Sequence, residues 1–208
     1  MCYSATSSII SATVGIIGSI LCISLGSITD RIVGYYIAFV CSMQIIEYLL
    51  WTHQICDNYN RMISVIGMIL NHVQPFVLGL IILAINNKSP KHWVLIIMFL
   101  YMCVIIPYSI QFINVSEKCT IKSSDNPHLF WKWNYMNYAI FVYFVFIVTL
   151  CALFILGIPN LKNGILLSAV AIITYSLSLV FYPKNAAGSI WCYFSTFLPI
   201  MYYVGRVG

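Results

Sequence analysis

Seven long apolar stretches fill most of this chain, and almost no charge interrupts them. A segment in lipid must satisfy its own backbone hydrogen bonds, and a helix needs about 20 apolar residues to cross the hydrocarbon. The stretches lie near residues 7–28, 33–53, 62–84, 93–113, 136–157, 164–182 and 187–205. Their connections are short, which leaves no room for a soluble domain. The expected fold is therefore all-α: one polytopic integral membrane bundle of seven transmembrane helices over residues 1–208. Composition agrees, because 7% of residues are charged and mean hydropathy is +0.94, whereas soluble domains carry roughly 25% charged residues.

The first stretch does not read as a cleavable signal peptide. No Lys or Arg precedes Arg31, and the apolar run is longer than the hydrophobic region of a leader. Flanking basic residues divide evenly, with Arg31, Lys88, Lys91, Lys162 and Arg206 on one side and Arg61, Lys118, Lys122, Lys132 and Lys184 on the other. The positive-inside rule is thereby neutralised. A charge-free start favours translocating the N-terminus, so the expected orientation is N-terminus non-cytosolic and C-terminus cytosolic. The net charge of +5 is spread over both faces, and no basic patch suited to nucleic acid is present.

Within the stretches, Glu47 is the one acidic side chain. An ionisable group at membrane depth is costly unless paired, protonated or facing water, and so marks a functional site by default. Gln44, Glu47, Tyr48 and Trp51 are spaced to share one helical face. In the next stretch Asn71, His72 and Gln74 precede Pro75, which removes a backbone donor and frees the carbonyl four residues earlier, that of Asn71. Threading the helices back and forth puts these residues in the same half of the bundle as Cys2, Ser4, His128, Trp131, Trp191 and Cys192. Glu47, His72, Asn71, Gln74, Gln44 and Tyr48 are the candidate ligand or proton-binding residues. Cys2, Ser4, Trp51, His128, Trp131, Trp191 and Cys192 are the candidate pocket wall. For each, a structural role competes: a hydrogen-bonded carboxyl for Glu47, a satisfied core histidine for His72, interhelical bonding for Asn71 and Gln74, and a loop position for His128.

Other features read as structural. Ser7, Ser11, Gly15 and Ser19 repeat every four residues, a spacing that lets helices approach closely, either within the bundle or at a homo-oligomer seam. The segment Phe130, Trp131, Trp133 and Tyr135 has the composition of an interfacial aromatic belt. His53 and His92 fall at stretch ends and read as interfacial. Asn114-Val-Ser116 matches the glycosylation pattern close to a membrane end. Cys22, Cys41, Cys103, Cys151 and Cys192 lie within stretches as small apolar residues. Cys2, Cys56 and Cys119 lie near one surface, and Cys56–Cys119 is the natural pair if that side is oxidising. Removal of Met1 would leave the amine and thiol of Cys2 adjacent.

Several classes are excluded. There is no lysine deep in the last stretch to carry retinal, no TVGYG filter, no nucleotide loop, and no HExxH or paired CxxC metal spacing. Neither a metal nor a cofactor is named by the sequence.

The opening Met1-Cys2-Tyr3-Ser4-Ala5-Thr6-Ser7-Ser8 resembles the MCxSAxxS start of a poorly characterised family of small polytopic membrane proteins found in bacteria and giant viruses. Similar pieces are Asp30-Arg31, Gln44 to Glu47 with Trp51, Asn71 to Pro75, His128 to Trp131, and Gly188 to Cys192. The resemblance spans nearly the whole chain and implies that these residues form a recurrent set. It brings no established activity.

Three functional expectations result. The leading one is a membrane-embedded binding or transport protein whose Glu47, with His72, Asn71 and Gln74, serves protons, a metal cation or a small cationic ligand. The second is an intramembrane enzyme acting on lipid, with Cys2 or Ser4 as nucleophile and Glu47 or a histidine as base. The third is a structural membrane protein, for instance of a virion envelope. The bilayer itself is the one partner implied in all three.

Overall fold

A computed structural model describes residues 4–122, 128–182 and 184–207. Helices account for nearly all of it: α1 (Ala5–Ser24), α2 (Ile28–Thr52), α3 (Asn58–His72), α4 (Gln74–Ile85), α5 (Lys91–Ile113), α6 (Ala139–Gly157), α7 (Leu161–Phe181), α8 (Lys184–Ser195) and α9 (Leu198–Val207). Among the described residues, the one β-type pairing is the isolated bridge between Lys122 and Leu129.

Five helices, α1, α2, α5, α6 and α7, are long and apolar enough to cross a membrane. α3 and α4 pass the same test only together, bent by 48° at a break, and make a sixth. The expected seventh stretch is divided into α8, of 12 residues, and α9, of 10. Each is shorter than the roughly 20 residues a crossing needs. The break falls at Thr196 and Phe197, whose amides bond only three residues back, to Tyr193 and Phe194. Pro199 then occupies the first turn of α9, where its missing N–H costs no helical bond. An all-helical chain with five to six apolar spans is the architecture observed.

The first two helices are set by a turn. Gly26 adopts φ +83°, a conformation glycine takes without strain. Ser27 then caps α2: its side chain accepts from the Asp30 amide while the Asp30 carboxylate accepts from the Ser27 amide. α2 thus starts at Ile28, earlier than the sequence pattern suggested, and takes Asp30 into the helix. α1 and α2 pack closely. A β-carbon on Gly34 would stand 2.8 Å from the Ser19 carbonyl oxygen, so the two backbones are nearly in contact, as small residues permit in lipid. The stripe of Ser11, Gly15 and Ser19 is buried by this packing and by α9.

The two internal prolines behave differently. Pro107 lies inside an uninterrupted α5, whereas Pro75 is the second residue of α4, just past the break at Val73. At that break the Tyr101 hydroxyl donates to the carbonyl of His72. The carbonyl served from a neighbouring helix is thus that of His72, one residue beyond the one the proline rule singled out.

On the face of the bundle where α1 begins, the segment between α5 and α6 folds back over the helix ends. Asn60 ties it down: its amide nitrogen donates to the carbonyls of His53 and Thr120, and its oxygen accepts from the Thr120 amide. A Cys56–Cys119 disulfide closes the same junction. Trp131 and Trp133 are both fully buried and stacked at 4.8 Å. The belt expected here is consequently a plug. A short 3-10 turn, Lys132–Tyr135, tucks the rings inward and the Tyr108 hydroxyl holds the Trp133 carbonyl. Gly188 makes room: a β-carbon there would lie 2.8 Å from the Asn134 amide nitrogen and 3.3 Å from Trp131. Tyr135, 71% exposed, keeps the interfacial position.

Candidate functional site

The late half of α2 carries the acid. Glu47 sits five residues before the end of the helix at Thr52, about 8 Å along its axis, and is completely buried. Gln44, one turn earlier and equally buried, accepts a hydrogen bond from Ser11 of α1 at 2.9 Å. Gln74, the first residue of α4, is also fully buried, and its amide nitrogen points to the Cys192 sulfur of α8 at 4.0 Å. Cys192 and Glu47 lie near enough to interact electrostatically. Side chains from α1, α2, α4 and α8 therefore meet around one polar centre. Gln74 reaches it because the chain restarts as a new helix there, exposing first-turn groups that an unbroken span would have used internally. The carbonyl oxygen of the Gln74 side chain has no hydrogen-bond partner among the described residues.

His72, one turn away across the break, belongs to a different group. Its Nδ1 is 2.9 Å from the Ser109 hydroxyl of α5, its ring lies 5.5 Å from that of Tyr108, and its buried Nε2 has no partner among the described residues. No hydrogen bond joins His72 to Glu47. Asn71 donates to the hydroxyl of Tyr143 on α6 at 2.7 Å, and Tyr143 in turn donates to Asn134 under the tryptophan plug. Asn71 and His72 thus bind the α3 end to α5 and α6, and Gln74 alone of the three turns to the acid. The 48° bend between α3 and α4 falls between His72 and Gln74.

The expected wall is partly in place. Trp131 and Cys192 share a fully apolar cluster with Met43, Ile46 and Leu50, which covers the polar centre on the α1-start face. His128, 5% exposed, folds over the bundle end with its ring edge-on to Tyr182 at 5.4 Å. Burial is the main force holding its pKa below the usual histidine range. Trp191 turns away, donating to Thr174 of α7 at 2.9 Å. Tyr48 and Trp51 are half-buried. Ser4 is the exposed N-cap of α1, accepting from the Ser7 amide at 3.1 Å, and no acid or histidine is hydrogen-bonded to it among the described residues. Cys2 lies outside the described residues. His53 is at the surface as expected, 2.8 Å from Asp57 and edge-on to Tyr59. Hydrogen bonding to the Asn60 amide and to His53 keeps the Asp57 carboxyl below the ordinary range.

A second acid, marked in the sequence by the resemblance alone, is also buried. Asp30, also completely buried, accepts from the Tyr202 hydroxyl at 2.8 Å and lies 3.7 Å from Arg206. The Ser27-x-x-Asp30 capping pattern was the available signal. Tyr143, Ser109 and Asn134 carried no such mark, since single hydroxyls and amides are common in apolar helices and at their ends. No group of three or more His, Cys, Asp or Glu side chains suited to a metal ion occurs among the described residues.

Fold and site define a class: an all-helical chain with five to six apolar spans, as in a multi-pass membrane protein, with carboxyl and amide side chains buried in the bundle. No family model, no curated protein and no solved structure matches the chain.

Proposed function

We propose that this is a multi-pass membrane protein that binds or passes protons or a small cation at Glu47. The observation that carries the reading is the complete burial of Glu47 beside a span broken at Val73, with Gln44 and Gln74 at the same centre. Carboxyls in such surroundings line proton and ion paths, and broken helices place unshared polar groups at membrane depth. The Gln74 carbonyl oxygen supplies an acceptor for a proton donor or cation, and the nearby Nε2 of His72 is a second group able to take a proton. Access from the α1-start face leads past Trp131 and Trp133, so transport would require that plug to move.

The finer topology belongs to the same proposal. α8 and α9 together make a seventh crossing, and the face with the Cys56–Cys119 bridge is non-cytosolic, because such bridges persist in oxidising compartments. The N-terminus then lies outside and the C-terminus in the cytosol. Membership of the bacterial and giant-virus family resembled by the N-terminal motif is proposed on those residues alone.

The test is flux in liposomes. Purified protein should show pH- or cation-dependent transport that Glu47→Gln abolishes and that Gln74→Leu reduces. Transport unchanged in the folded Glu47→Gln protein overturns the reading.

A further inference from the structure

An elongated cavity of about 280 Å³ lies between α2, α6, α7 and the α8–α9 pair. It exists because α7 packs chiefly on α6 and α8 and its inner face stands off from α2. Along that face Asn163, Leu167, Val170 and Thr174 line the cavity, opposite Val33 and Val40 of α2. From Asn163 to Thr174 the helix rises about 17 Å at ~1.5 Å per residue. The space is thus a slot running from the α9-end face of the bundle to mid-depth. Leu166 and Met201, both on its wall, are 61% and 67% exposed, so the slot opens sideways to lipid.

Its chemistry is that of a hydrocarbon tail. Three hydroxyls along it are already committed inside the protein: Thr174 accepts from Trp191 and donates to the Val170 carbonyl, Ser195 donates to the Trp191 carbonyl, and Tyr202 donates to Asp30. Gln74 and Asn163 are the amides on the wall, and the rest of it is apolar, chiefly aliphatic with the rings of Tyr36 and Phe154. The mouth differs. Lys162 adjoins Asn163 and makes no ion pair among the described residues, and Arg206, one turn beyond Tyr202, is half-exposed at 3.7 Å from Asp30. An apolar slot with a cationic rim complements an anionic amphiphile whose tail points inward.

We propose that this slot holds one acyl chain of an anionic phospholipid from the adjoining leaflet, with its phosphate at Lys162 and Arg206. The slot shares Gln74 with the transport site, but occupancy requires no flux and involves neither Glu47 nor His72.

The experiment uses the full chain in phosphatidylcholine vesicles containing a trace of phosphatidylglycerol with a diazirine on its acyl chain. After illumination, adducts are mapped by mass spectrometry. Leu167 and Val170 should be labelled several-fold more than Ile165, Ile172 and Ile173, which are exposed elsewhere on the same helix. Ala171→Phe, which fills the slot, should lower the inner labelling to the outer level with unchanged thermal stability. Equal labelling of the inner and outer faces in the wild-type protein overturns the slot without recourse to any variant. The rim is tested by a phosphatidylcholine probe of the same tail. It should label the slot several-fold less than phosphatidylglycerol, and Lys162→Gln with Arg206→Gln should erase the difference. Equal labelling of the wild-type slot by the two probes overturns the assignment of an anionic lipid.

Discussion

Asp30 and Glu47 are carried by the same helix, near opposite ends, and both are completely buried. Their positions in α2 are 17 residue steps apart, about 26 Å at ~1.5 Å per residue. At the early end the carboxylate is structural. It completes the Ser27 cap and receives the Tyr202 hydroxyl, holding α9 against the start of α2. At the late end Glu47 stands among amides and a thiol, beside a broken span.

Asp30→Ala should therefore release the C-terminal helix. Hydrogen bonds to a charged group contribute about 1.5–3 kcal/mol each when buried, and with Arg206 half-exposed the lower end of that range applies. Hydrogen exchange should rise in α9 first, with α3 and α5 unchanged. Uniform loosening of all helices, or none, would contradict the tie between Asp30 and Tyr202.

The Cys56–Cys119 bridge closes a separation of 63 residues. Chain-entropy arguments give roughly 4 kcal/mol for a loop of that length, an upper limit here because an unfolded chain in a bilayer is already restricted. Reduction, or Cys56→Ser with Cys119→Ser, should lower the melting temperature in detergent and speed proteolysis between α5 and α6. Asn60 still ties Thr120 in place, so the helical bundle itself should persist.

What the sequence disclosed follows from which forces are local. Apolar length alone marks the five long helices, and the proline beside Asn71, His72 and Gln74 marks the break. The pairing of Cys56 with Cys119 was also legible, because both lie near one surface, apart from the five cysteines within the apolar stretches, and pair there if that side is oxidising. Destinations of side chains were not legible. His72 and Gln74 are two residues apart, yet one bonds to α5 and the other points to α8, a choice made by helices distant in sequence. Trp131 and Trp133 have the composition of a belt, and Gly188 and Tyr108, distant in sequence, accommodate them turned inward. Asp30 is marked in the sequence only by the resemblance, because the apolar pattern starts past it at residue 33, whereas the Ser27 cap starts α2 at Ile28.

Asn71, Tyr143 and Asn134 form a chain of hydrogen bonds from α3 through α6 to the plug. Tyr143→Phe should destabilise the protein by about 1 kcal/mol, the scale of interhelical hydrogen bonds within membranes. Asn71→Leu should cost a similar amount, and the double variant less than the sum, as measured by unfolding in mixed micelles. Strict additivity would show that the two side chains do not interact.

His128 gives a pH dependence of definite sign. Its pKa is held down chiefly by burial, so below the ordinary histidine value of about 6.5 the unfolded chain takes a proton that the folded one resists. Stability is full above that value and falls as pH drops from about 7 towards the lower folded pKa. His128→Phe keeps a ring against Tyr182 and should flatten this fall. A melting curve of the variant that still declines over the same pH window would assign the effect to another group.

Two glycines separate close backbone contact from ordinary packing. A methyl group on Gly34 would meet the Ser19 carbonyl oxygen at 2.8 Å, and that backbone cannot yield without parting α1 from α2. A methyl on Gly79 would meet only the flexible end of Met98, which can swing aside. Gly34→Ala should thus cost about 1–3 kcal/mol through overpacking. Gly79→Ala should be near neutral, since the gain in helix propensity of about 1 kcal/mol offsets a rotamer change. Because the α1–α2 contact also positions Ser11 on Gln44, Gly34→Ala should disturb Glu47-dependent flux, whereas Gly79→Ala should leave it intact. Equal melting temperatures for the two variants would mean that α1 and α2 are not in backbone contact.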